Sequence, residues 1–116
     1  MQRKFRLTRS TDLKRVRRFG KSYAHPLVVL IVQPGDQSGL RVGVTAGKTV
    51  GGAVHRNRAK RLLRAAMQSL LPDLVPAADI LLIARRPLTE STFDQARAAL
   101  QILLRRASLL TSPDAT

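Results

Sequence analysis

The sequence predicts an α+β fold, a small β-sheet with three helices packed on it as a two-layer sandwich. Three observations predict it. Two short apolar runs, residues 27–32 and 78–84, have the length of buried strands, and the first is rich in β-branched residues. Residues 40–46 alternate, with Leu40, Val42 and Val44 on one side and Arg41, Gly43 and Thr45 on the other, as a strand with one covered face does. Three further segments carry helical periodicity.

In chain order, Ser10 is placed to cap a first helix and Gly20 to end it in the left-handed conformation. Leu13, Val16 and Phe19 recur every three residues as a narrow apolar stripe, with Lys14, Arg15, Arg17 and Arg18 around it. So short a helix needs docking to be stable. Pro26 opens the first strand, and Pro34-Gly35-Asp36 closes it with a turn. The alternating strand at 40–46 is expected to pair with it as a hairpin. Gly47, Gly51 and Gly52 mark a flexible or tightly turned loop, with room for a short third strand. A helix is predicted from Ala53 to about Leu71, and Pro72 and Pro76 bound the loop after it. The buried strand 78–84 ends at Arg85-Arg86-Pro87. Ser91 is placed to cap the last helix, with Asp94 in its first turn and Phe93, Ala96, Leu100, Leu103, Leu104 and Ala107 on one face. The order is α-β-β-β-α-β-α. Residues 1–110 are expected to form one α+β domain and 111–116 a disordered tail.

A chain of 116 residues has core enough for one domain. It has no cysteine, which excludes disulfides and thiolate zinc sites and fits a reducing, cytoplasmic setting. The run 27–32 is too short to span a bilayer, and the basic N-terminus lacks the apolar stretch of a signal peptide, so no membrane partner is expected. With 21 Lys and Arg against 7 Asp and Glu, the net charge is +14, which points to a polyanionic partner. Nine of the 21 cations lie within residues 3–21 and five within 56–64, and 16 of them are arginine, the residue suited to bidentate phosphate contact.

On a helical wheel of residues 53–70, Ala59, Leu62, Leu63, Ala66 and Leu70 form the core face. Arg56, Lys60 and Arg64 form one i, i+4 row; Asn57 and Arg61 lie beside it, and Arg58 sits on the flank. Like charges so spaced weaken an isolated helix, so the row is better explained by an anionic ligand than by structure. Asn57 offers a hydrogen bond to a base edge or 2′-hydroxyl, or else a local backbone contact. Lys48 and the glycines before the helix leave backbone N–H groups open to an anion, although GKTVGG lacks the spacing of a P-loop.

Catalytic chemistry is not visible in the side chains. The seven acids, Asp12, Asp36, Asp73, Asp79, Glu90, Asp94 and Asp114, are dispersed, which leaves no carboxylate set for a two-metal nuclease. His25 and His55 are candidates for a metal-independent acid–base pair, but two surface histidines near RNA are the simpler reading.

The segment RVGVTAGKTVGGAVHRNRAKRLLR, residues 41–64, resembles the signature of the bacterial ribonuclease P protein family: R-V-G, a K-x-x-G-x-A-V loop, then R-N-R-x-K-R on a helix. The similarity continues through LTRSTDLKRV, DILLIARRP and the final helix. The resemblance implies a mixed sheet with a left-handed β-α-β crossover. It also implies a subunit of an endoribonuclease that removes the 5′ leader of precursor tRNA, the RNA partner carrying the active site and holding the Mg2+. The implied partners are that catalytic RNA and precursor tRNA, with no DNA. By the same resemblance Lys48, Arg56, Asn57, Arg58, Lys60, Arg61 and Arg64 would face the catalytic RNA. Leu13, Lys14, Arg17, Phe19 and Ile31 would belong to a leader-binding cleft between the first helix and the sheet. Thr49, Gly52 and Ala65 depart from the family's usual residues, and the cleft positions hold few aromatics, with Phe19 and Tyr23 nearby. Base stacking would then give way to arginine stacking and phosphate contact. The alternative from composition alone is a structural RNA-binding protein, a ribosomal protein or RNA chaperone.

Overall fold

The computed structural model describes residues 6–34, 39–73 and 78–109; most of the predicted turn at 34–36 and the tail at 111–116 lie outside them. The described helices are α1 (Ser10–Phe19), α2 (Ala53–Leu70) and α3 (Phe93–Arg106), and the strands are β1 (Lys21–Ala24), β2 (Val28–Pro34), β3 (Arg41–Ala46) and β4 (Ala78–Ala84). The order α-β-β-β-α-β-α matches expectation, but the additional strand is β1, before the first predicted one. Gly47 instead leads into a 3-10 turn, Lys48–Val50.

The sheet order is β1-β2-β4-β3. β2 runs antiparallel to both β1 and β4, and β3 runs parallel to β4. The expected hairpin between the strands at 27–32 and 40–46 therefore does not form, because β4 lies between them. Six of the seven residues of β4 are buried, so the strand needs a neighbour on each side, which an edge position would deny it. The hairpin that does form is β1–β2, closed by reciprocal bonds between His25 and Val28. KSYA carries no alternating apolar signal; β1 exists because it pairs with β2.

Alternation along the strands sends side chains to two cores. Val28, Leu30, Val32, Val42, Ile80 and Leu82 pack against α2 and α3. Ile31 and Leu81, with Val29 and Ile83 partly buried, meet α1 and Leu7 on the opposite face. α1 thus adds a partial third layer to the expected two. The N-terminal segment follows the β3 edge, with the Leu7 N–H donating to Val42 O at 2.8 Å, which covers part of an exposed strand.

Helix ends differ from the sequence reading by small shifts. Arg9 is the N-cap of α1 and Ser10 its first residue, with no side-chain cap. Gly20 has φ −78° and is extended, not left-handed. Its lack of a side chain serves close approach: a Cβ there would lie 2.5 Å from Val16 O and 2.6 Å from Ile31 Cγ2. α3 is capped by Thr92, whose Oγ1 accepts from the Gln95 N–H while the Gln95 side chain accepts from the Thr92 N–H. Ser91 is buried and donates to Pro87 O at 3.0 Å. Phe93, placed by periodicity on the packed face of α3, is 40% exposed because it precedes the first buried turn.

Candidate nucleic-acid interface

α1 lies across the middle of the sheet, held by the fully buried Val16 above Ile31 and Leu81. It leaves a cleft of about 220 Å³ lined by Ser10, Leu13, Lys14, Arg17, Thr45 and Leu81. Its floor is apolar and its rim cationic, which suits a single nucleic-acid strand with phosphates outward. Of the residues predicted for this cleft, Leu13, Lys14 and Arg17 come together. Ile31, 5% exposed, is enclosed beneath α1 against Gly20 and offers no surface. Phe19 is 66% exposed and is not among the lining residues; the Arg18 guanidinium sits 5.3 Å from its ring centroid. Tyr23 pairs with Leu30 and packs toward α2 and α3, away from the cleft. Ser10, Thr45 and Leu81 join the cleft without having been expected there. Thr45 is within reach of sequence reasoning, since it shares the outward side of the 40–46 alternation with Arg41.

The end of the cleft side that holds the start of β4 is polar. Asp79, 4% exposed, accepts two bonds from Arg41, Nε to Oδ1 at 3.0 Å and Nη2 to Oδ2 at 2.9 Å, and one from Arg15 Nη2 at 2.8 Å. Arg15 also bonds the Gln33 side chain and Asp12 Oδ1, the latter at 3.2 Å, and Asp12 Oδ2 lies 3.8 Å from Arg41. Burial alone would raise the Asp79 carboxyl, but the hydrogen bonds from Arg41 and Arg15 outweigh it and hold the group below its usual value. The same bonds to Asp79, working against burial, raise both guanidinium groups. Two cations are thus matched by two carboxylates.

α2 is arranged differently. Its buried residues are Ala59, Leu63, Ala66, Met67 and Leu70, with Leu62 only partly covered. Met67 turns the buried arc toward the Arg56–Lys60–Arg64 row. That row, set apart from the predicted core face, is therefore half-buried, whereas Asn57, Arg58 and Arg61 are exposed. Val54, 77% exposed, stands one turn before Arg58 on the same outer side. Among the described residues no carboxylate lies within ion-pair distance of any α2 cation. Arg56 Nε is enclosed without a hydrogen-bond partner. Burial lowers Arg64 from the usual guanidinium value, and the nearby Arg6 lowers it further. Lys48 is exposed in the 3-10 turn that leads into the helix.

The two cationic regions meet at the β3 edge. Arg6, Leu7, Thr8, Leu13, Val42, Val44 and Arg64 line a second hollow there, so Leu13 belongs to both hollows. The histidines do not form a pair: His25 Nδ1 accepts from the Leu27 N–H in the β1–β2 turn, while His55 lines a separate groove with Arg86 and Glu90. Among the described residues no three His, Asp or Glu side chains gather as a metal site. No described helix is long and apolar enough to cross a membrane.

Comparison with known proteins agrees with this geometry. The family model described as Ribonuclease P matches residues 1–108. The ribonuclease P protein component of Chloroflexus aggregans is 41% identical over 115 residues, covering 98% of this chain and 85% of the relative. The RNase P protein of Staphylococcus aureus superposes with a TM-score of 0.81 at 28% identity, covering 91% of this chain and 97% of that one. The RNase P protein of Thermotoga maritima gives 0.77 at 27% identity, covering 87% and 96%. These matches span nearly the whole fold and set aside a ribosomal protein or general chaperone. The chain, with its R-N-R helix and its cleft beneath α1, belongs to the bacterial ribonuclease P protein family.

Proposed function

We propose that the protein works through two surfaces joined at the β3 edge, α2 holding the catalytic RNA and the α1–sheet cleft taking the 5′ leader. Its enzyme is the tRNA-processing ribonucleoprotein, with the ribonuclease P RNA and precursor tRNA as partners, and the protein subunit is not itself catalytic. The observation that carries the two-surface reading is the unpaired charge of α2. Arg56, Arg58, Lys60, Arg61 and Arg64 lie on one helix with no described carboxylate in reach. Phosphate oxygens would supply the missing counter-charge, release condensed counterions and relieve the like-charge row. Lys48 extends the same surface, and exposed Asn57 adds a neutral donor and acceptor for a 2′-hydroxyl. In the cleft, Lys14 and Arg17 would hold leader phosphates above the Leu13–Leu81 floor.

The described carboxylates do not fit a resident Mg2+. Asp12 and Asp79 are already committed to arginine, and Glu90 and Asp94 stand exposed on separate elements. In this reading the RNA holds the metal, and the protein's part is charge neutralisation and positioning. Dependence on cellular RNA partners supports a cytoplasmic setting.

The test is cleavage of precursor tRNA by the catalytic RNA at low magnesium, with and without the protein, using a long-leader and a nearly leaderless substrate. Stimulation that grows with leader length is the expected result. Equal stimulation of both substrates would remove the leader from the cleft and leave assembly through α2. No stimulation would contradict both assignments.

A further inference from the structure

We propose that Arg15, although it lies in the densest run of positive charge, is a positioning residue for the leader cleft and not a contact to RNA. The inference rests on the cleft being the leader site. α1 has ten residues, too few to hold a helix without docking. Its apolar attachment is narrow: Val16 is fully buried, Leu13 is partly covered, and Phe19 is free of the sheet. The main polar attachment is one guanidinium, beside a longer ion pair from Asp12 to Arg41 at 3.8 Å. Arg15 spans from α1 to Gln33 on β2 through Nη1 and to Asp79 on β4 through Nη2, and Asp79 passes the link to Arg41 on β3. A single side chain thus ties the helix to two strands directly and to a third through a buried carboxylate.

Lys14 and Arg17, the cationic residues of the cleft, flank Arg15 on the same helix. The height and rotation of α1 therefore set where their charges stand above Leu81 and Thr45. The planar fork is what does this, since its two nitrogens reach acceptors on different strands at once. A lysine keeps the charge but presents a single nitrogen and cannot span both. Because Asp79 and Asp12 already match Arg15, its charge is not free for phosphate.

The experiment uses the reconstituted holoenzyme with wild type, Arg15→Lys and Arg15→Gln, on long-leader and nearly leaderless precursor tRNA. Both variants should lose about five- to tenfold of the leader-dependent advantage in KM, the scale of one ordinary net hydrogen bond. The kcat at saturation, cleavage of the leaderless substrate and affinity for the catalytic RNA should be unchanged. Unchanged RNA affinity also reports that the variants fold, as expected when Arg41 still pairs with Asp79. Retention of the leader advantage by Arg15→Lys would overturn the inference, because charge alone would then suffice. So would an equal loss on both substrates, which means general damage to the fold. A wild-type protein with no leader advantage would instead remove the cleft reading, and this inference with it.

Discussion

α1 and α2 both carry closely spaced cations, yet they use them in opposite ways. Beside α1, the buried Asp79 and half-buried Asp12 take up Arg15 and Arg41, leaving Lys14, Arg17 and Arg18. Along α2, no described carboxylate takes up any of the five. The difference comes from what each helix packs on. α1 crosses the strand face where Asp79 sits between Gln33 and Arg41 in register, so two of the local arginines become structural. α2 packs through Ala59, Leu63, Ala66, Met67 and Leu70 on apolar residues, and its cations meet no described acid. Cation density in sequence is therefore a guide to RNA binding only after the pairing of each cation is known.

The largest way to break the comparison is to remove the carboxylate. Asp79→Asn should cost about 1–3 kcal/mol in urea unfolding, since it strands buried donors, though both arginine partners are partly exposed and can rehydrate. The acid dependence sharpens the point. The Asp79 carboxyl is held below its usual value in the fold, so its contribution is fully present above about pH 4 and is lost as pH falls through the folded value. The stability gap between wild type and Asp79→Asn should stay constant from neutral pH to about pH 5 and close below about pH 4. A gap that persists at low pH would mean that the carboxylate charge is not what stabilises the network. The smallest effect belongs to α2. Arg61→Gln should change stability by no more than about 0.5 kcal/mol while weakening RNA binding, because the side chain is exposed and has no described ion-pair partner.

Legibility follows the strength of local patterns. α2 and β4 are readable because eighteen residues of helical period and a seven-residue apolar run leave few alternatives. β1 is not, because KSYA gains its strand conformation from pairing with β2, and strand pairing is a long-range choice. The same blindness misplaces the hairpin: nothing near residues 34–41 says that a strand forty residues later will enter between β2 and β3. Gly20 is visibly special, but a sequence cannot distinguish a left-handed turn from a close approach to Ile31. In the site, Lys14, Arg17 and the R-N-R helix are legible from charge and motif. Arg15, Arg41 and Asp79 are not, because an ion network across α1, β3 and β4 leaves no local spacing to read. Ile31 is assigned to the cleft by the family resemblance, whereas strand alternation under α1 buries it.

The central claim is that the α2 cations, which no described carboxylate pairs, hold the catalytic RNA by its phosphates. Its most direct test is the salt dependence of catalytic-RNA binding by wild type and by the Arg56→Gln, Lys60→Gln, Arg61→Gln triple variant. Removing one phosphate partner should reduce the slope of log affinity against log salt by about 0.7–0.9, so the variant's slope should be shallower by about 2 to 3. An unchanged slope, whatever the change in affinity, would contradict the claim.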